Sequence, residues 1–397
     1  MSSNITLYER LTNLYKIGEE MALSWRERKN IINYVIEAKE SFREKGFNAV
    51  DSLVLSQFAY LRFDELVPGL SVVEKPVKIG ELAQKEGLDK LYRHVRDGSS
   101  NRKLFAALVE SPRFRDVEMN FYVNKIDFKQ EKQFSALTYL LNDRAAYIAY
   151  RGTDATFVGW KEDFNMTFTS PVPSQEEGID YLNTVGSLLA GEFKVGGHSK
   201  GGNIAIYSSL KSHPSVKKRV TEVFSHDSPG FKENICKSPE YLEMGDRIYK
   251  YLPQASVVGM FLQQQENYVV VRSNRTGFMQ HDPFSWVVHQ GDFQYVETIK
   301  SSAKFFNNTI NQWLDSLDDE KRELFVDTLY QVISAAEAET VYDLTDDWHK
   351  RAIAVLGAIK DIDNETRKFV LQTINALFVM GIKNLRGYRE ESDENNS

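Results

Sequence analysis

The chain has 397 residues, a formal net charge of −7 and a single cysteine, Cys236. A chain of this length buries a large core and fits either one large domain with helical additions or two domains. Its basic and acidic residues are interspersed, which excludes nucleic acid as the main partner; one cysteine excludes an internal disulfide and a cysteine-based structural zinc site.

The N-terminus, Met1-Ser2-Ser3-Asn4, leads into charged, amphipathic sequence with no apolar run suited to a signal peptide. Nowhere do ~20 apolar residues follow one another, so a cytoplasmic protein without an integral membrane segment is expected. Residues 1–46 read as a helical extension. Its second helix is marked by the Ser24/Glu27 capping box, by Ile31, Ile32, Val35, Ile36 and Phe42 on one face, and by Gly46 at its end. Because its polar face mixes acids and bases, packing on the protein body is favoured over a membrane surface.

Residues 51–60 read as a buried helix, and helical pieces continue through 80–86 and 101–110. Residues 121–126 and 134–141 form an expected strand pair, and 145–150 is a short apolar run of the kind buried in a central sheet. The segments 178–190 and 203–211 have helical periodicity, whereas 193–197, 219–225 and 268–272 read as strands. Strands alternating with helices imply a mostly parallel sheet, in which chemistry collects at the carboxyl ends of strands. From about residue 297 the chain turns helical, with a Ser316/Asp319 capping box before Leu324, Phe325, Leu329, Val332 and Ile333. A last amphipathic helix is marked by Phe369, Val370, Ile374, Leu377 and Phe378, and residues 389–397 form an acidic tail expected to be disordered. The divisions expected are therefore 1–46, 47–300, 301–388 and 389–397.

Gly197-His198-Ser199-Lys200-Gly201-Gly202 has the Gly-x-Ser-x-Gly spacing of a nucleophile elbow, with a strand running in and a small-residue helix running out. Glycines flank the serine because side chains there would collide with the neighbouring strand and helix. The competing reading, a phosphate-binding loop, lacks the Gly-Lys-Ser/Thr ending. A nucleophilic serine needs a base, an orienting acid and oxyanion donors. Of seven histidines, His94, His213 and His349 lie in accessory or loop segments, and His198 inside the elbow is assigned to packing or orientation. His226 breaks the chain order of nucleophile, acid, histidine, and His289 is an outsider. His281 fits that order, against the alternative of a structural His-Asp-Pro turn. Asp227, at the end of the strand after the elbow helix, is the chosen acid; capping of its own Ser-Pro-Gly turn is an alternative, and Ser256 is an alternative orienter of the histidine. The oxyanion donors would be the amides of Lys200 and Thr153, with Arg151 and Asp163 as an ion pair bracing the loop. A Lys200 side chain favouring anionic substrates is a further expectation.

Ala149-Tyr150-Arg151-Gly152-Thr153 with Trp160 and Asp163, followed by Gly197-His198-Ser199-Lys200-Gly201-Gly202, resembles the class 3 (fungal-type) lipases of the α/β-hydrolase fold over about residues 130–210. Ser228-Pro229-Gly230-Phe231 and Gln280-His281-Asp282-Pro283-Phe284-Ser285-Trp286 are similar to a bacterial branch, the Mbeg-like proteins, extending the match to roughly residues 47–335. The resemblance implies Ser199 as nucleophile, Thr153 as oxyanion residue and His281 as the late histidine. Two departures stand out. Those lipases carry an apolar residue where Lys200 stands, and their acid aligns with Ser256-Val257-Val258-Gly259, where no Asp occurs. Pancreatic lipase-type enzymes carry the acid one strand earlier, at the position of Asp227. Residues 154–159 match the lipase lid but hold only Phe157 and Val158 as sizeable apolar residues.

The fold expected is thus an α/β-hydrolase with a mostly parallel central sheet and helical N- and C-terminal additions. The expected activity is hydrolysis of a small-molecule or lipid carboxylic ester through a Ser-His-Asp acyl-enzyme, with no metal or organic cofactor. A non-catalytic binding or scaffold protein on the same fold is the alternative, motivated by the displaced acid and the large helical additions.

Overall fold

The computed structural model describes residues 29–300, apart from 71–73, 94, 128–131, 143, 154–161, 163–165, 167–169, 232, 257, 261–266 and 276, together with parts of 318–372. The Ser24/Glu27 and Ser316/Asp319 boxes, the lid position, Trp160, Asp163 and the acidic tail lie outside the described residues.

Its centre is a nine-stranded sheet in the order β1 (Val77–Lys78), β2 (Glu118–Asp127), β3 (Lys132–Asn142), β4 (Ala145–Tyr150), β5 (Glu192–His198), β6 (Val220–His226), β7 (Ile248–Pro253), β8 (Val269–Val271) and β11 (Tyr295–Val296). The strands β4 to β8 run parallel, and antiparallel strands extend the sheet on both sides. Between β8 and β11 the chain makes a small hairpin, β9 (Val288–His289) with β10 (Asp292–Phe293). The alternation of side chains along β4 shows why both faces are apolar. Tyr147 and Ala149 join one core cluster, while Ala146, Ile148 and Tyr150 join the other.

Helices α1 (Ile31–Glu37), α2 (Ala49–Phe58) and α3 (Gly98–Glu110) cover the first face, and α4 (Pro173–Leu188) and α5 (Lys200–Lys211) the second. Every residue of α2 is buried, and Asn48 caps it by accepting from the amides of Val50 and Asp51. Fully burying a side chain such as Phe58, which stacks on Phe105, stabilises by about 1.5–3 kcal/mol. In the C-terminal region the described part includes a helix, α6 (Asp346–Ala358).

The first face departs from expectation at its start. Helix α1 begins after the cap Asn30 and ends at Ala38, whose backbone is extended, so Phe42 packs from a non-helical corner rather than from the helix face. A buried ion pair holds that corner. Arg113 donates to Asp51 through Nε (2.8 Å) and Nη2 (2.6 Å), and reaches the carbonyls of Glu40, Lys45 and Gly46 at 2.8–2.9 Å. Carbonyls that have no helix or strand partner are thereby satisfied without water. The Tyr34 hydroxyl donates to Asp51 at 2.7 Å, and burial with the adjacent carboxylate pushes its phenol above the ordinary range.

Strand β7 was not expected from the sequence. Its charged Lys250 points into the protein and is buried, which breaks the apolar run by which its neighbours are recognised.

Candidate active site

The elbow is a crossing of backbones. A Cβ on Gly201 would lie 2.0 Å from the Tyr150 carbonyl oxygen at the end of β4, so only glycine lets α5 start this close to the sheet. Ser199 stands between β5 and α5 with φ 58° and ψ −135°. A non-glycine residue in that region carries strain on the order of 1–3 kcal/mol, sustained only where the surroundings over-determine it. Its amide donates to the His226 carbonyl at 2.9 Å.

Asp227 follows the neighbouring parallel strand β6 and also has positive φ, 47°. Its amide donates to the Tyr251 carbonyl of β7 at 2.8 Å, which ties the turn to the strand that sequence reading missed. The carboxylate is buried and fully occupied. Oδ1 accepts from the Ser256 hydroxyl (2.5 Å) and the Gly259 amide (3.1 Å), and Oδ2 faces His281 Nδ1 at 2.6 Å. Asp227 therefore caps no turn of its own. Ser256 bonds the acid rather than the histidine, which answers the other alternative. With Nδ1–H held by the carboxylate, His281 keeps Nε2 as its basic nitrogen.

His281 arrives on a loop that is braced from within. Trp286 Nε1 and the Ser285 hydroxyl donate to the Gln280 carbonyl and the Asp282 carbonyl, while Gln280 accepts from the Ala255 amide and donates to the Arg275 carbonyl. The Asp282 carboxylate pairs with Arg275 and accepts from the Phe284 amide, and is not aimed at the imidazole of His281.

His198 supplies a link that the motif alone did not reveal. Its Nε2 donates to the His281 carbonyl at 2.7 Å, its Nδ1 accepts from the Tyr60 hydroxyl at 3.0 Å, and the two imidazoles lie 4.5 Å apart. Burial, reinforced by the adjacent His281, pushes the His198 imidazole well below its ordinary value, so it is neutral with one donor and one acceptor, both used. Tyr60 had no signal in the sequence, since its partner is 138 residues away.

The loop after β4 touches the elbow. A Cβ on Gly152 would lie 3.0 Å from Ser199 Cβ and 2.5 Å from the His198 carbonyl oxygen, and Thr153 is buried beside them. Lys200 is the first residue of α5, a position whose amide has no acceptor within the helix. Its side chain corrects an expectation. Nζ is buried against Glu162 Oε2 (2.7 Å) and the Gln133 carbonyl (3.0 Å), so the ammonium is not presented to any substrate. Arg151 is buried and donates to Asn124 Oδ1 at 3.0 Å; its proposed partner Asp163 lies outside the described residues.

The remaining histidines are elsewhere. His226 is buried among Phe224, Tyr251, Trp286 and Phe293 with Nε2 against the Ser52 hydroxyl, and burial pushes it down to about 3. His213 caps a short helix and His289 is exposed on the β9–β10 hairpin. Among the described residues no group of three or more His, Cys, Asp or Glu side chains is arranged to hold a metal, and no helix is long and apolar enough to cross a membrane.

The Mbeg1-like family model matches residues 108–331, more than half of the chain. The chain belongs to the Mbeg1-like family. The matched region of this Mbeg1-like chain holds β4, the elbow, Asp227 and the His281 loop. No curated protein matches it. Among solved structures, it is similar to the Rhizomucor miehei lipase propeptide complex, with 12 % identity, a TM-score of 0.36, and 64 % of this chain and 74 % of that chain covered. It is also similar to M37 lipase, with 13 % identity, a TM-score of 0.31, and 52 % and 68 % covered. A sheet with a parallel centre from β4 to β8, helices on both faces and a Gly-x-Ser-x-Gly elbow at the end of a central strand is the α/β-hydrolase fold.

Proposed function

We propose that the chain is a serine hydrolase of carboxylic esters, on small-molecule or lipid substrates, that works through an acyl-enzyme. The observation that carries this reading is the 2.6 Å contact between His281 Nδ1 and a buried, fully bonded Asp227 at the carboxyl edge of the strand beside the Ser199 elbow. An orienting carboxylate paired with a late-loop histidine, on a loop that meets the strained Ser199 elbow through His198, is costly to build and has a use in acyl transfer.

In the proposed reaction His281 Nε2 takes the proton of Ser199 as Oγ attacks the ester carbonyl. The negative charge on the tetrahedral oxygen is met by the amides of Lys200 and Thr153. Collapse expels the alkoxide, which receives the proton from His281, and leaves an acyl-serine. Water, deprotonated by the same nitrogen, then attacks the acyl carbonyl; collapse frees the carboxylic acid and returns the proton to Ser199. Asp227 holds the imidazole in the tautomer this needs and stabilises the transient imidazolium.

The test is covalent labelling of the full chain by a fluorophosphonate, alongside hydrolysis of p-nitrophenyl butyrate. Labelling of the wild type that disappears in Ser199→Ala, with hydrolysis lost in parallel, is expected. An intact wild type that neither labels nor hydrolyses the ester sinks the reading and leaves a non-catalytic binding protein on a hydrolase fold.

A further inference from the structure

The residue after Ser199 is a lysine, yet its ammonium is sealed inside the protein. The side chains of Lys200 and Glu162 are 0 % and 1 % exposed. Glu162 Oε2 accepts from Lys200 Nζ at 2.7 Å and from the Gln133 amide at 3.1 Å, and its Oε1 accepts from the Ser174 amide at 2.9 Å. Lys200 Nζ donates a second bond to the Gln133 carbonyl at 3.0 Å. One helical turn on, Asn203 accepts from Gln175 Nε2 at 2.7 Å and donates to the carbonyls of Gly230 (2.9 Å) and Pro229 (3.2 Å). The first turn of α5 is therefore held from three directions: by the start of β3, by the start of α4, and by the loop that follows Asp227.

Stability alone does not account for a lysine here. A cation is disfavoured at a helix N-terminus, and a buried ion pair is commonly no more stable than apolar residues of the same volume. Nor does the pair add a net charge near the elbow, because the carboxylate cancels the ammonium. What it does add is direction. Two side chains that lock each other and three backbone groups leave the Lys200 backbone little freedom, and that backbone carries the amide assigned to the oxyanion.

We propose that Lys200 and Glu162 are positioning residues: their buried pair fixes the strained elbow so that the Lys200 amide is aimed, before substrate arrives, at the oxygen that becomes negative. This rests on the serine-hydrolase reading above. A displacement of about 1 Å in such a donor costs roughly a hundredfold in rate.

The experiment compares wild type with Lys200→Met/Glu162→Gln, a double variant that leaves no uncompensated charge and keeps an acceptor for the β3 or α4 amide. Active sites are counted by complete fluorophosphonate reaction. Then kcat per titrated site and KM are measured with p-nitrophenyl butyrate, along with inhibition by an alkylboronic acid, which mimics the tetrahedral oxyanion. The expected result is a kcat per site lower by about 10–100-fold, boronate affinity reduced in proportion, and KM within about twofold. Unchanged kcat per site and boronate affinity, even with a lower melting temperature, make the pair a structural strut and overturn the proposal. Should the double variant not fold, Glu162→Asp, which keeps the charge and pulls it back by one methylene, is judged by the same ratio. A wild type that reacts with neither probe removes the hydrolase reading and this one with it; a reactive wild type beside an undiminished variant removes this one alone.

Discussion

Two buried ion pairs do different work in this molecule. Asp51–Arg113 lies under the corner between α1 and α2, and Glu162–Lys200 lies under the elbow; in both, each side chain is at most 1 % exposed and hydrogen-bonded on several sides. At the corner the guanidinium spends its donors on carbonyls of a segment without regular structure, packing over the Phe42 ring at 4.1 Å. Under the elbow the ammonium belongs to the residue next to Ser199, the proposed nucleophile. The same electrostatics thus closes a loop in one region and orients a backbone in the other. Burial and pairing say that a charge is held; the neighbour along the chain says what the holding is for.

The comparison breaks hardest at the elbow's acid. Asp227→Asn leaves the shape of the site but offers His281 the wrong hydrogen-bond partner, so kcat per titrated site is expected to fall about 10³–10⁴-fold while the urea midpoint moves little. At the corner the reverse is expected. Arg113→Met strands the Asp51 carboxylate and three carbonyls, and equilibrium denaturation should register a loss of about 3–5 kcal/mol with kcat per folded molecule within twofold of wild type. A drop in kcat as large as that of the elbow variant would erase the distinction between the regions.

A third measurement supplies a background that belongs to neither the elbow nor the corner. His226 is buried neutral with its value pushed down to about 3, below the roughly 6.5 of an unfolded histidine. The unfolded chain takes the proton first, so this stabilisation is present above about pH 6.5 and is lost as the pH falls towards 3. Between about pH 7 and pH 5 the loss is about 2 kcal/mol, and urea midpoints of His226→Gln should fall less over that interval than those of the wild type. The smallest effect belongs to Tyr60→Phe, which removes one buried hydrogen bond to His198. A loss of about 0.5–1.5 kcal/mol in denaturation is expected, with a severalfold fall in kcat from a looser His281 loop.

The elements that the sequence discloses are those with a local signature. The β4 run from Ala145 to Tyr150 is legible because both faces of a central strand are apolar, and the elbow because glycine spacing records a backbone collision. His281 and Asp227 follow from the order of strands, which brings their carboxyl ends to one edge. Strand β7 stays hidden because Lys250 occupies a buried position, and with it goes the Tyr251 carbonyl that holds the Asp227 turn. Helix α1 is overextended in the sequence reading because Phe42 lies in helical register but reaches the core from a corner. Lys200 is misread for a related reason. A charge beside a nucleophile suggests a substrate contact, whereas its partner Glu162, 38 residues away, leaves no periodic trace. A still larger separation, 138 residues, conceals Tyr60 behind His198.

The contact between Gly201 and the Tyr150 carbonyl also bears on how the protein matures. Ser199 acquires its strained conformation only when β4 already lies in register beside β5, with Tyr150 opposite Gly197. Those strands are more than forty residues apart, and the acid and the histidine come from later segments still. A molecule in which any of these segments is out of place lacks the geometry proposed for catalysis, and is expected to be unreactive. On the proposed function, covalent labelling at Ser199 would double as a census of natively registered molecules, sensitive to a slipped sheet that a measure of helix content would overlook.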